Sequence, residues 1–186
     1  MFNRVVLVDR KNTEIGTEDK LEAHKKGLLH RAFSIFIFND KNEILLQQRS
    51  DTKYHSACLW SNTCCSHPYN DKTVSKYAKQ RLVQEMGIKT NLKEIFTFIY
   101  RTSFRNGLVE YEYDHVFFGK YNSDPILNKQ EAADFRWINF KQLQLEIPSG
   151  IEYELPIHKE FAIDLLLRIR QKGPPLPGLP VMIISI

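Results

Sequence analysis

The sequence has no apolar run long enough to cross a bilayer, which argues against a transmembrane helix within it. Its opening residues, MFNRVVLVDRKN, lack a signal-peptide layout: the apolar run is only Val5 to Val8 and charge follows at once. The expectation is a cytoplasmic protein with no membrane partner. Cysteine is scarce, with three residues, Cys58, Cys64 and Cys65, two of them adjacent. That is a poor disulfide framework and reads as free thiols or ligands. There is no strong charge imbalance: 26 basic residues stand against 22 acidic ones, for a net charge of +4. The basic residues are dispersed rather than striped, so no nucleic-acid partner is expected. There is no internal repeat, and no early linker divides the chain. With 186 residues, 42% hydrophobic and 26% charged, it has the makings of one soluble domain with its own core.

What the chain does have is concentrated in Trp60-Ser61-Asn62-Thr63-Cys64-Cys65-Ser66-His67-Pro68. A thiol two residues from an imidazole can share a metal with it. Alternatively, a thiol near a cation or metal becomes a nucleophile or an acid/base.

The pattern predicts strands over 4–8, 32–38, 44–48, 95–101, 108–118 and 135–138. The 32–38 strand is apolar on both faces and so central and covered twice. Residues 9–19 read as polar and turn-rich, and 49–62 as loop. A helix over about 73–86 carries Val74, Tyr77, Ala78, Leu82 and Met86 at helical spacing and stops at Gly87. Further helices are predicted over 139–146 and 156–172. The Asn106-Gly107 pair is a hairpin signal. The mixture suggests one sheet flanked by helices over residues 1–172. Residues 173–186, with four prolines and two glycines in the first eight, form a separate apolar tail.

Several residues could carry chemistry. Along 108–118 the period of two puts Glu110, Glu112 and Asp114 on one face. Such a face is either solvated or meets something positive. With His24, His30 and His67, Glu110 and Glu112 would suit a divalent ion such as Zn²⁺, Mn²⁺ or Mg²⁺. A structural zinc site is disfavoured, because Cys64, Cys65 and His67 lack a second ligand pair. Cys58 and Cys64 read as small core residues, and His55, His115 and His158 as ordinary surface or hydrogen-bonded histidines. Arg81 and Glu85, four apart on one helix side, make either a salt bridge or a diphosphate and Mg²⁺ site with Lys20, Arg49 and Lys53.

At these residues the chain resembles the type I isopentenyl-diphosphate Δ-isomerases, a branch of the Nudix fold. The matching pieces run in order over about residues 1–170: Lys20 with Ala23-His24, Leu29-His30-Arg31-Ala32-Phe33-Ser34, Leu46-Gln47-Gln48-Arg49 with Lys53, the 60–68 stretch, Arg81 to Gly87, Tyr100-Arg101 and Glu110-Tyr111-Glu112. The resemblance implies an α/β (α+β) fold, with a Nudix-type mixed sheet sandwiched between helices. It implies a 1,3-allylic shift of isopentenyl diphosphate to dimethylallyl diphosphate. Cys65 and Glu112 would be the acid/base pair on opposite faces of the substrate, with Tyr100 assisting. His24, His30, His67, Glu110 and Glu112 would hold a first metal, Mn²⁺, Zn²⁺ or Mg²⁺. Glu85 would help hold a Mg²⁺ on the diphosphate, and Lys20, Arg49, Lys53 and Arg81 would contact the phosphates. The partner would be a small isoprenoid diphosphate, and the protein a monomer or weak homodimer.

Two departures stand out. Of the Nudix helix glutamates only Glu85 remains. The tryptophan the family places before its last helix is absent from 148–156, where Tyr153 is the nearest aromatic. Either Tyr153 or another aromatic such as Trp60 would then face the cation, or the rate would be lower. A Nudix-type diphosphate hydrolase and a lapsed metal/diphosphate-binding module are the competing functions.

Overall fold

The computed structural model describes residues 4–52, 57–69, 73–104 and 106–146. The expected helix over 156–172, the tail, Lys53, His55, Tyr153 and His158 lie outside the described residues. In chain order the elements are β1 (Arg4–Val8), β2 (Glu14–Asp19), α1 (Lys20–Lys26), β3 (His30–Phe38), β4 (Glu43–Arg49), β5 (Trp60–Ser61) and β6 (Cys64–Ser66). There follow α2 (Val74–Met86), β7 (Lys93–Ser103), β8 (Val109–Lys120), β9 (Ala132–Asn139) and α3 (Phe140–Glu146).

These strands form one mixed sheet. The apolar run of β3 makes it the centre: it pairs in parallel with β8 from His30↔Glu112 to Phe38↔Lys120, and antiparallel with β6 and, at one point, β1. Its alternate residues go to opposite cores, as the period of two requires. Phe33, Ile35 and Ile37 pack with Tyr77, Ala78, Leu82 and Met86 of α2. Phe36 and Phe38 pack with Val116 and Phe118 of β8 and with Phe140 and Leu143 of α3. A sheet with helices on both sides is therefore what the sequence pattern indicated. Helix α2 ends where Gly87 takes a left-handed φ of 67° and its N–H bonds to the Val83 carbonyl at 3.0 Å. A Cβ there would also lie 2.8 Å from Ile126, so only glycine fits.

The structure differs from expectation at two stretches. Residues 14–19, read as turn-rich, form β2, because β1 offers a ladder from Arg4↔Asp19 to Val8↔Glu14. Within 49–62, read as loop, Trp60 and Ser61 form β5, paired with Gln47 and Gln48 of β4. Cys58 is exposed with a positive φ of 64° and is no core residue. A two-residue strand carries too little periodicity to show in sequence.

The reason for β5 and β6 is a gap in the sheet. β3 and β4 are joined as a hairpin by Asn39, whose Oδ1 accepts from the Lys41 and Glu43 N–H groups at 3.0 and 2.9 Å. Yet the two strands pair only at Phe38↔Ile44 and then splay. The 60–66 segment is wedged between them, β5 on β4 and β6 on β3. At its apex two buried side chains take the place of the lost ladder bonds. Thr63 Oγ1 accepts from Ile37 N at 3.0 Å and donates to Leu45 O at 2.6 Å. Asn62 Nδ2 donates to Ile35 O at 3.1 Å and to Cys64 O at 3.0 Å. Thr63→Val keeps the shape of the side chain but leaves both backbone groups unsatisfied. It should cost about 1–3 kcal/mol, read as a lower urea midpoint, with Thr63→Ser recovering most of the loss. An unchanged midpoint for Thr63→Val would show that the wedge is held by other contacts.

Candidate active site

Four elements deliver side chains to one place at the N-terminal end of β3. Helix α1 begins at Asp19, whose Oδ1 accepts from the N–H groups of Leu21 at 2.9 Å and Glu22 at 3.2 Å. It ends after two turns at Gly27, in a left-handed conformation with φ of 60°, and the chain turns straight into β3. That short helix buries His24 against His30, the first residue of β3. His67 follows β6. The ring centroids are 5.1 Å apart for His24–His30, 5.6 Å for His24–His67 and 4.9 Å for His30–His67. The parallel register sets Glu112 of β8 beside His30. One ligand atom from each of His24, His30, His67 and Glu112 lies within 4.8 Å of all the others.

Glu112 is the centre of this group. Its Oε1 accepts from His67 Nε2 at 2.8 Å and stands 3.6 Å from His30 Nε2. Its Oε2 accepts from the Tyr100 hydroxyl at 2.7 Å. The same hydroxyl is 3.2 Å from Glu110 Oε2. The antiparallel register Tyr100↔Glu112 and Thr102↔Glu110 on β7 and β8 makes this possible. His30 Nδ1 donates to Leu28 O at 2.8 Å, which turns its Nε2 lone pair inward. His24 Nε2, His30 Nε2 and His67 Nδ1 are buried with no hydrogen-bond partner.

Electrostatics favour neutral imidazoles around an ionised carboxylate. Burial first, and then the neighbouring histidines, hold His24 down to about 3. Burial, aided by the Lys20 cation, holds His67 down to about 4. Burial pushes Glu112 up, but His67 and His30 outweigh it and keep its carboxyl well below the usual range. Burial and the two glutamates push the Tyr100 hydroxyl well up, so it stays a donor. Lys20 is lowered by burial, against the pull of Glu112 and Glu110; Arg49 and Cys65 also act on it, which places all five groups in one neighbourhood.

Of the expected site residues, the structure thus gathers His24, His30, His67, Glu112 and Tyr100, with Glu110, Lys20, Arg49 and Cys65 around them. Cys65 lies on β6 directly across from Ser34 of β3. Arg81 and Glu85 sit on the other side of the sheet, under α2. There the buried Glu85 accepts from Arg81, from Gln47 Nε2 at 3.4 Å and from the Cys64 thiol, and Arg81 also reaches Glu131 at 3.3 Å. Trp60 packs on the α3-side core with the Arg136 guanidinium 4.6 Å over its ring, so that face is taken. His115 is a hydrogen-bonded histidine, as expected, between Glu94 at 3.3 Å and Asn12 at 3.2 Å.

One pair at the site escaped the sequence reading. Ser34 Oγ donates to Asp114 Oδ2 at 2.7 Å, and Asp114 Oδ1 is buried without a partner. Burial, and then Glu112, push the Asp114 carboxyl up to about 8. The signal was present: Ser34 interrupts an apolar run, and Asp114 continues the alternation of Glu110 and Glu112.

The NUDIX domain family matches residues 28–158. The chain is 49% identical over 175 residues to isopentenyl-diphosphate Delta-isomerase 1 of Aromatoleum aromaticum, covering 92% of this chain and 97% of that one. It is 37% identical over 176 residues to the Burkholderia multivorans isopentenyl-diphosphate Delta-isomerase, covering 95% and 96%. Among solved structures it is similar to a Deinococcus radiodurans protein, with a TM-score of 0.71 at 14% identity over 89% of this chain and 98% of that one. It is also similar to a MutT protein of Methanosarcina mazei, with a TM-score of 0.60 at 17% identity over 77% and 96%. Those two likenesses speak for the fold alone. The sequence relatives go further, and with them the chain belongs to the isopentenyl-diphosphate Delta-isomerase family, built on a NUDIX domain.

Proposed function

We propose that this protein isomerises isopentenyl diphosphate to dimethylallyl diphosphate, with Cys65 and Glu112 as its proton-transfer pair. The observation that carries the reading is Glu112: a buried carboxylate held between His67 on one oxygen and Tyr100 on the other. Cys65 is half-buried on β6, two residues before His67. The family of the relatives supports the same activity.

The chemistry fits these groups. A proton is added to the terminal CH₂ of the alkene, leaving a tertiary cation-like centre, and a proton is removed from the carbon nearer the diphosphate. The double bond moves and no atom is gained or lost. An alkene is a feeble base, so both groups must be placed and water excluded. Glu112 and Tyr100 share one proton position at 2.7 Å. That lets Tyr100 carry the proton between Glu112 and the substrate. Lys20 and Arg49, beside Glu110 and Glu112, take the diphosphate oxygens, and Lys53 and Tyr153 complete the substrate contacts in this reading.

The residues fit a divalent ion. One ligand atom from each of His24, His30, His67 and Glu112 converges, and the Nε2 atoms of His24 and His30 are buried without partners, a donor set suited to Mn²⁺, Zn²⁺ or Mg²⁺. His24, His30, His67 and Glu112 would hold it, with Glu110 alongside. Bound there, it would supply a Lewis acid that keeps Glu112 anionic. In this reading Glu85, paired with Arg81 through Oε1, would help hold a Mg²⁺ on the diphosphate.

The activity test is proton NMR of isopentenyl diphosphate with the protein and Mg²⁺ in D₂O. The parent should give deuterium-labelled dimethylallyl diphosphate, and Cys65→Ala and Glu112→Gln should each lose about 10²–10⁴-fold in rate while staying folded. Unlabelled substrate with released phosphate would point instead to a hydrolase.

The metal reading has its own check. His24 and His67 titrate lower in the fold than the usual value near 6.5, so the metal-free protein is most stable above that pH and loses stability as pH falls toward 4. Asp114, raised to about 8, acts in the opposite sense between its usual value of 3.8 and 8. Metal needs neutral imidazoles. The rise in Tm that Zn²⁺ or Mn²⁺ gives EDTA-treated protein should therefore be large at pH 7.5, persist at pH 5, where these imidazoles are still neutral, and fall away as pH drops through about 4 toward 3. A Tm unmoved by either ion at pH 7.5 would remove the metal from the reading.

A further inference from the structure

Asp114 is 1% exposed and Ser34 2%. Both lie on the sheet face that carries Glu112, among Phe36, Val116 and the other residues of the α3-side core. Stability does not explain them. A carboxyl with one oxygen unpaired in an apolar core is costly, and replacing both partners of a buried polar pair by apolar groups of similar shape is often neutral or favourable.

The register of the three central strands shows what they adjoin. On β8, Asp114 is the next residue inward from Glu112 on the same face. On β3, Ser34 is one step along from Ala32, the residue paired with Asp114. On β6, Cys65 is directly opposite Ser34. Directly opposed residues of an antiparallel pair share a face, with Cβ atoms about 4.5–5.5 Å apart. A row Glu112, Asp114, Ser34, Cys65 therefore crosses β8, β3 and β6, with the two proton-transfer groups at its ends.

We propose that Asp114 acts, through Ser34, as a positioning residue for the Cys65 side chain. A serine hydroxyl has one proton to give. Here it is given to Asp114 Oδ2 at 2.7 Å. The face of Oγ turned to β6 is then lone pair only, an acceptor for the Cys65 S–H. This fixes one side-chain orientation for the thiol and so the place of its sulfur beneath the substrate. Without Asp114 the hydroxyl is free to rotate and can also donate to sulfur, so the thiol loses its single orientation. The inference rests on the reading of Cys65 as a proton-transfer group. It adds two residues to that site without asking either to exchange a proton with substrate.

The test uses the full-length, metal-loaded protein. Ser34→Ala and Asp114→Ala should each lower kcat about 10- to 100-fold, the scale of a small misplacement of a reacting group. KM should stay within about twofold, bound metal should be unchanged, and Tm should be unchanged or higher. Ser34→Thr keeps the hydroxyl and Asp114→Asn keeps an acceptor oxygen, so each should recover most of the rate. Should Asp114→Ala not fold, Ser34→Ala, which removes a single oxygen, decides the matter. A folded, metal-loaded Ser34→Ala with kcat within twofold of the parent would overturn the proposal. So would an Asp114→Asn as slow as Asp114→Ala, or a loss of rate that tracks lost metal. Cys65→Ala is assayed alongside: full turnover there removes the reading of Cys65 itself, whereas a dead Cys65→Ala beside a fully active Ser34→Ala removes only the positioning pair.

Discussion

The structure turns on one buried carboxylate. Taking Glu112 out of water costs several kcal/mol unless each oxygen finds a partner, and here each does, on His67 and on Tyr100. Neither partner is local in sequence. His67 comes from the segment after β6, Tyr100 from β7, and His30, 3.6 Å away, from β3. The parallel pairing of β3 with β8 is what allows it, since it fixes His30 beside Glu112 by backbone hydrogen bonds alone. The apolar bulk of Phe33, Ile35, Phe36 and Ile37 then locks that register, because a slip of one residue would turn every one of them to the wrong face.

The cost of this arrangement appears in the sheet. To reach β3 beside Ser34, the Cys65 strand must enter where β4 would otherwise continue its ladder. β3 and β4 give up their pairing beyond Phe38↔Ile44, and Asn62 and Thr63 satisfy what is left open. The buried Thr63 hydroxyl and Asn62 amide are thus backbone substitutes. They hold Cys65 in place because the Asn62 amide bonds the carbonyl of Cys64, the peptide unit that leads into Cys65.

What was legible in the sequence follows from how local the cause was. β3 and α2 were read within two or three residues at either end, because each carries a strong period and, for α2, a terminating Gly87. The alternation along β8 correctly grouped Glu110, Glu112 and Asp114 on one face. β2 was not legible, since Glu14-Ile15-Gly16-Thr17-Glu18-Asp19 has no apolar face and exists because β1 is there to pair with it. β5 is two residues long and is imposed by the gap between β3 and β4. Cys58 was misplaced for a related reason: composition favours burial of cysteine, but this one sits in a turn with positive φ. The histidine cluster was offered as a ligand set from residue types and strengthened by resemblance, not fixed by spacing, for its members lie on separate segments that only the tertiary register unites.

Adjacent cysteines acquire their meaning from the pleat. Cys64 and Cys65 point to opposite faces of β6, so one short strand serves two clusters. Cys64 goes down to Glu85 and Arg81 under α2, where burial first and then Glu85 push its thiol well up and keep it protonated. Cys65 goes up to the face of Glu112. The two clusters have opposite electrostatic logic. Below the sheet, a guanidinium pairs with carboxylates: burial pulls Arg81 down, but Glu85, Cys64 and Glu131 together raise it and hold it charged. Above it, neutral imidazoles surround an anion and leave their lone pairs unpaired, which is a poor arrangement for stability and a good one for holding a cation. β6 is thus packed from both sides, with Cys64 on the Glu85 side and Cys65 on the Glu112 side.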